Sequence, residues 1–210
     1  MDTLKYILDK YKLEKKAVIE IPNTGRDTMA SILHELDFKV GVEVGVQEAY
    51  YSVVLCRENP QMLVYGVDPW MEFRTGTVYK LSQQSNEYYY KMAQERLSVF
   101  PNSKLIRKTS MDAVKDFPDE SLDFVYIDAD HEYSHVMEDI TEWSKKLKKG
   151  GIMSGHDYYK SRDRKCFLDV KAVVHTYIDE HNISPLIIWG VNAKDPGTIR
   201  DRWRSWSWVK

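Results

Sequence analysis

The strongest constraint in this sequence is an alternation of two kinds of segment. Short β-rich runs occur at Lys39–Val44, Met62–Val67, Lys104–Ile106, Leu122–Ile127 and Ile152–Ser154, each followed by helical spacing or a loop leading to it. Parallel strands need long crossover connections, usually helices, so strand–helix alternation predicts βαβ units and a parallel sheet covered on both faces. Two further runs, Leu186–Trp189 and Ser205–Lys210, are separated only by a turn-rich loop with Asp195-Pro196-Gly197. No helix fits between them, so they read as an antiparallel pair added at the sheet edge. Helices are expected at Asn86–Phe100, Tyr133–Leu147 and Val170–Ile178. In Tyr133–Leu147, Val136, Ile140, Trp143 and Leu147 share a face, and Lys145, Lys146, Lys148, Lys149 and Gly150-Gly151 read as its cationic, glycine-capped end.

The 210 residues fit one domain spanning 1–210, with 1–26 as a helical extension in which Leu4, Ile7, Leu8 and Tyr11 keep helical spacing. Residues 69–84, after Asp68, lack periodicity and hold Pro69, Trp70 and Gly76, so they read as a loop over the site. A formal net charge of −2 gives nucleic-acid binding no support. No apolar run approaches the ~20 residues of a membrane span, and Met1–Lys12 does not resemble a signal peptide. Two cysteines, Cys56 and Cys166, form no disulfide framework or zinc spacing, so a reducing cytoplasm is expected. The aromatics of Trp203–Trp208 could serve a homodimer contact or simply the core of the hairpin.

In an open parallel sheet, ligands bind outside the C-terminal strand ends. That rule selects Glu43–Gln47, Asp68–Trp70, Thr109–Asp112, Asp128–His131 and Gly155–Tyr158. At Glu43-Val44-Gly45-Val46-Gln47, Gly45 permits a tight turn and close approach of a ligand. A dinucleotide fingerprint would need three glycines, and Glu48 adds negative charge, so a pyrophosphate is disfavoured. A cofactor with a cationic or neutral centre and an amino-acid end suits Glu43 and Gln47 better. Asp68 could accept hydrogen bonds from ribose hydroxyls, or act as a turn residue. Met111 could wall an adenine with Ser110 or Asp112 as its polar edge, or Asp112 could only cap a helix. Asp128-Ala129-Asp130-His131 and Gly155-His156-Asp157-Tyr158 bring carboxylates and histidines to neighbouring strand ends. Such groups suit a divalent cation or a general base near neutral pH.

The order Glu43-x-Gly45, Asp68, Leu122–Asp128, Lys149-Gly150-Gly151 and Gly155-His156-Asp157-Tyr158 resembles the class I S-adenosylmethionine-dependent methyltransferases. It is most similar to methyltransferase family 24, related to the catechol and caffeoyl-CoA O-methyltransferases. The resemblance implies a Rossmann-like seven-stranded, mostly parallel sheet with helices on both faces and an antiparallel C-terminal hairpin. It implies a cofactor site of Glu43, Gly45, Val46 and Gln47 at the methionine end, Asp68, Pro69 and Trp70 at the ribose, Ser110 and Met111 at the adenine, and Asp128 near the methyl. By the same resemblance, Asp128, His156 and Asp157 would hold Mg²⁺ or Mn²⁺ if a metal is used, and His131 or His156 would be the base.

The implied activity is methyl transfer to a hydroxyl of a small-molecule or sugar acceptor, with Asp128, His131 and His156 as catalytic residues. Two rivals remain at this stage: a nicotinamide-dependent oxidoreductase on the same sheet type, disfavoured by the single glycine, and a non-catalytic cofactor-binding protein.

Overall fold

The computed structural model describes residues 2–71, 82–159, 169–191 and 203–210. Eight strands form one sheet in the order β1-β7-β8-β6-β5-β2-β3-β4. The strands are β1 (Val18–Ile21), β2 (Val40–Val44), β3 (Leu63–Val67), β4 (Ser103–Ile106), β5 (Leu122–Ile127), β6 (Leu147–Gly155), β7 (Leu186–Trp189) and β8 (Ser205–Val209). All neighbours are parallel except β8, which runs antiparallel to both β6 and β7. The helices are α1 (Thr3–Tyr11), α2 (Arg26–Glu35), α3 (Tyr50–Glu58), α4 (Gln83–Leu97), the one-turn α5 (Ser110–Ala113), α6 (Tyr133–Lys146) and α7 (Val170–Glu180).

The expected α/β class and mostly parallel sheet are present, with one strand more than expected. Residues 1–26 are not simply helical: α1 ends at Tyr11, and β1 follows and pairs in parallel with β7. The run Val18-Ile19-Glu20-Ile21 alternates exposed and buried residues, the period-two signature of a strand with one covered face. Four residues beside a stronger helical signal are easily overlooked.

Two apolar layers hold the sheet. On one face Met29, Ile32, Leu33, Leu55 and Leu97 pack against Phe124 and Tyr126. On the other, Val136, Ile140, Trp143, Val173 and Val174 pack against Val42, Val44 and Val125. Each such side chain contributes roughly 1.5–3 kcal/mol on full burial. Central strands covered on both faces read as near-continuous apolar runs, as β2 and β5 do.

The lysine–glycine segment is not a helix cap. Helix α6 stops at Lys146, and Leu147 is already extended at the start of β6. On β5, Leu122 and Phe124 face Leu147 and Ile152, so Lys148–Gly151 form a bulge. Gly150 takes φ +83° within it, and its amide bonds the carbonyl of Lys210. The glycines therefore serve an irregular strand rather than a helix end. Trp206 and Trp208 lie buried and stacked at 5.1 Å, so these two form hairpin core.

Candidate active site

The C-terminal ends of β2, β3 and β5 and the segment after β4 open onto a cavity of about 1010 Å³. That is the upper range for a small-molecule site and leaves room for two ligands. Glu43, Gly45, Val46, Gln47, Asp68, Pro69, Trp70, Ser110, Met111, Asp128 and His131 all line it. Residues 72–81 of the expected loop lie outside the described residues, and α4 begins at Gln83.

The turn after β2 is built around Gly45. Its φ is +90°, and a Cβ there would lie 2.1 Å from the carbonyl oxygen of Asp128. Asp68 fastens the same turn from β3. Its Oδ2 accepts the amides of Val46 at 3.1 Å and Gln47 at 2.9 Å, and its Oδ1 accepts the amide of Trp70 at 2.8 Å. A carboxylate has about four acceptor positions. Three are spent on the backbone, so Asp68 is first a clasp between two loops. Trp70, with φ +41°, donates its indole N–H to the carbonyl of Gln47 at 2.8 Å.

Glu43 is buried in the central strand. Burial pushes its carboxyl to about 8, and the hydrogen bond donated by the Ser52 hydroxyl offsets only part of that. A carboxyl in this position is either protonated near neutrality or waiting for a cationic partner.

At the ends of β5 and β6, Asp128, His131 and Asp157 place one ligand atom each within 4.8 Å of one another. His131 Nε2 lies 2.5 Å from Asp157 Oδ2. Burial alone would lower the His131 value, but the Asp157 bond and the charges of Asp157, Asp128 and Asp130 raise it above the usual histidine range. Burial pushes Asp157 upward, yet the bonds and charges of His131 and His156 outweigh it and hold the carboxyl far below its ordinary range. Burial, with Asp157 adding to it, raises Asp128, against the opposing charges of His156, Arg26 and His131.

The two expected histidines are not equivalent. His131 faces the cavity, whereas neither His156 nor Asp157 lines it. His156 Nδ1 lies 3.8 Å from Asp128 Oδ1 and 3.6 Å from Asp157 Oδ1, behind the carboxylates. The three-residue cluster suited to a cation therefore contains His131 where sequence reasoning placed His156. The backbone here is irregular: Asp157 takes φ +57°, and the carbonyl of the buried His156 accepts the Trp206 indole N–H.

Of the two readings of Asp112, the structure fits the one at the helix start rather than the adenine edge. Its side chain is exposed and pairs with Lys115 and Thr109, away from the cavity. Sequence reasoning missed Arg26 and Asp139. Arg26, at the start of α2, lines the cavity 3.7 Å from Asp128 Oδ2. Asp139 lies on the buried face of α6, and its position between Val136 and Ile140 on the apolar stripe was a legible signal of a buried carboxylate.

The methyltransferase domain of family 24 matches residues 41–158, more than half of the chain. Together with the fold, the match defines a class I S-adenosylmethionine-dependent methyltransferase. The chain belongs to the family-24 methyltransferase domain. Among curated proteins, the uncharacterized protein y4gI of Sinorhizobium fredii (strain NBRC 101917 / NGR234) is 28% identical over 130 residues. That alignment covers 60% of this chain and only 14% of the relative. A Staphylococcus aureus structure provisionally described as a caffeoyl-CoA O-methyltransferase has a TM-score of 0.62 at 13% identity, covering 88% of this chain and 82% of its own. The O-methyltransferase from Bacillus cereus in complex with SAH has a TM-score of 0.59 at 14% identity, covering 88% and 80%. Spermidine synthase from Thermotoga maritima has a TM-score of 0.56 at 14% identity, covering 86% and 56%. These likenesses show the fold. Among the described residues, no helix is long and apolar enough to cross a membrane.

Proposed function

We propose that the chain transfers the methyl group of S-adenosylmethionine to a hydroxyl oxygen of a small-molecule or sugar acceptor. The observation that carries this reading is the cavity-facing His131, paired with Asp157 beside Asp128, across from the Gly45 turn. The acceptor oxygen attacks the methyl carbon in line with the carbon–sulfur bond. That bond breaks with its electron pair leaving on sulfur, giving S-adenosylhomocysteine, and the hydroxyl proton passes to the neutral form of His131. Catalysis comes mainly from positioning the two reactants, which can supply roughly 7–11 kcal/mol of the barrier. Asp157 orients the ring of His131 and stabilises it once protonated. The buried carboxyl of Glu43 and the turn at Gly45–Gln47 would hold the amino-acid end of the cofactor.

The donor set of two carboxylates and one imidazole also fits a divalent cation such as Mg²⁺ or Mn²⁺. Asp128, His131 and Asp157 would hold it, and it would lower the pKa of the acceptor hydroxyl. Its binding would replace the His131–Asp157 hydrogen bond, so base and metal ligand are alternative uses of the same imidazole. The deciding experiment is a screen of S-adenosylhomocysteine formation against hydroxylated sugars and small phenols, with and without chelator. Turnover that survives chelation supports His131 as base. Turnover lost to chelator and restored by Mg²⁺ or Mn²⁺ supports the metal. No product with any hydroxyl acceptor, but product with amines, would refute O-methylation.

A further inference from the structure

Arg26 reaches the reaction centre from the start of α2, and neither the base nor the cofactor turn accounts for it. Its place there is fixed from α3. The Tyr51 hydroxyl donates to the Arg26 carbonyl at 2.9 Å, and the guanidinium lies 5.3 Å from the centre of the Tyr51 ring. Tyr51 is itself buried against Tyr126 of β5, with ring centres 4.4 Å apart. A guanidinium resting on an aromatic face is pre-organised for its ion pair. From this position Arg26 Nη1 lies 3.7 Å from Asp128 Oδ2. The other oxygen of the same carboxylate, Oδ1, lies 3.8 Å from His156 Nδ1. Asp128 is the carboxylate that a divalent ion would share with His131 and Asp157. Both of its oxygens already face a nitrogen of this chain.

We propose that Arg26 is the resident counter-ion of Asp128 and keeps the divalent-cation affinity of Asp128, His131 and Asp157 low, leaving the His131 imidazole available as the base. This rests on the reading in which base and metal ligand are alternative uses of His131. An ion taken up by Asp128 would have to share that carboxylate with a guanidinium, which cannot relieve the repulsion by losing its proton. The Arg26 and Asp128 side chains are 34% and 22% exposed, so water screens part of the repulsion. What remains between two like charges a few ångströms apart should weaken ion binding by roughly tenfold to a hundredfold.

The test is calorimetric titration of Mn²⁺ into the protein with neither methyl donor nor acceptor present. Arg26→Gln should bind Mn²⁺ roughly tenfold to a hundredfold more tightly than wild type, and Arg26→Lys, which keeps the charge, should stay near wild type. Adding Asp157→Asn to Arg26→Gln should remove the gain, which locates the ion at the cluster. Equal or weaker binding by Arg26→Gln overturns the proposal, as does a gain that survives Asp157→Asn. Arg26→Met makes the same comparison should Arg26→Gln fail to fold, and micromolar Mn²⁺ binding by the wild type overturns the proposal with no variant at all. A failure here leaves methyl transfer standing. A failure of the acceptor screen, conversely, leaves the effect of Arg26 on the ion measurable.

Discussion

Gly45 offers the sharpest test of how the site is assembled, with Gly150 as its control. Both residues have left-handed backbones, at φ +90° and +83°. An L side chain there costs about 1–2 kcal/mol in either case. Their surroundings differ. A Cβ at Gly150 meets only the Thr3 hydroxyl oxygen at 3.7 Å, an ordinary contact. A Cβ at Gly45 meets the carbonyl oxygen and carbon of Asp128 at 2.1 and 2.5 Å and Cα of Ala129 at 2.7 Å, all backbone. Contacts below 3.0 Å essentially do not occur, so the end of β5 must withdraw by at least 0.9 Å. That movement strains the Asp128 amide bond to the Val44 carbonyl, now 2.7 Å, and displaces Asp128 from His131. Gly45→Ala should therefore cost about 3–4 kcal/mol in total, against about 1–2 for Gly150→Ala. For a domain of this size each kcal/mol lowers Tm by roughly 2–4 °C. Thermal melts followed by circular dichroism should show a drop of about 6–16 °C for Gly45→Ala and about half of that or less for Gly150→Ala. Only Gly45→Ala should also weaken S-adenosylhomocysteine binding. Equal melts for the two variants, or a Gly45→Ala protein with wild-type affinity, would refute the steric argument.

Three further outcomes are expected. Asp128→Asn should lower turnover by about 100-fold or more while S-adenosylhomocysteine affinity, read by calorimetry, stays within a few fold; undiminished turnover would remove Asp128 from the mechanism. Because Asp157 raises His131 above the usual histidine range, the acid limb of the kcat/KM profile should lie above about pH 6.5, and Asp157→Asn should move it to lower pH; an unmoved limb would mean His131 is not the base. Glu43 has a folded value of about 8 against 4.5 when unperturbed, so its contribution to stability is complete below pH 4.5 and is lost as pH rises through 8. The Tm of Glu43→Gln should accordingly rise relative to wild type between pH 5 and 8; a constant difference would show that Glu43 does not titrate there.

The parts legible in the sequence were those with a period or a strand end. Lys39–Val44 and Leu122–Ile127 read as strands because both are short β-rich runs, and β2 and β5 lie there. The ligand edge followed from topology, and it collected every cofactor-binding candidate. The direction in which a side chain leaves an irregular segment was not legible. His156 and Asp157 are adjacent, yet only Asp157 meets His131, while the His156 ring sits beside the Asp128 and Asp157 carboxylates without lining the cavity. Asp112 had the right chemistry at the right strand end, but one helical turn carried it into solvent. Asp68 read as a ribose acceptor or a turn residue, and the folded turn shows three amides already on it. Residues brought in from a distant element, such as Arg26, carry no local signal at all.

The fold leaves the chemistry open, since a spermidine synthase and O-methyltransferases share it at similar TM-scores. The placement of charge along the cavity narrows what this chain can bind. Its middle is acidic, with Glu43 and Asp128 both raised by burial and Arg26 the cation beside them. Such a region favours a ligand that brings positive charge, and a sulfonium cofactor with an ammonium group does so. In the proposed reaction the sulfonium charge would be lost on transfer and a proton would pass to His131, beside Asp157. The Asp128 and Asp157 carboxyls beside His131 would then stabilise the protonated base. A cation bound by Asp128, His131 and Asp157 and a protonated His131 would exclude one another, because the protonated imidazole has no free nitrogen to offer a metal.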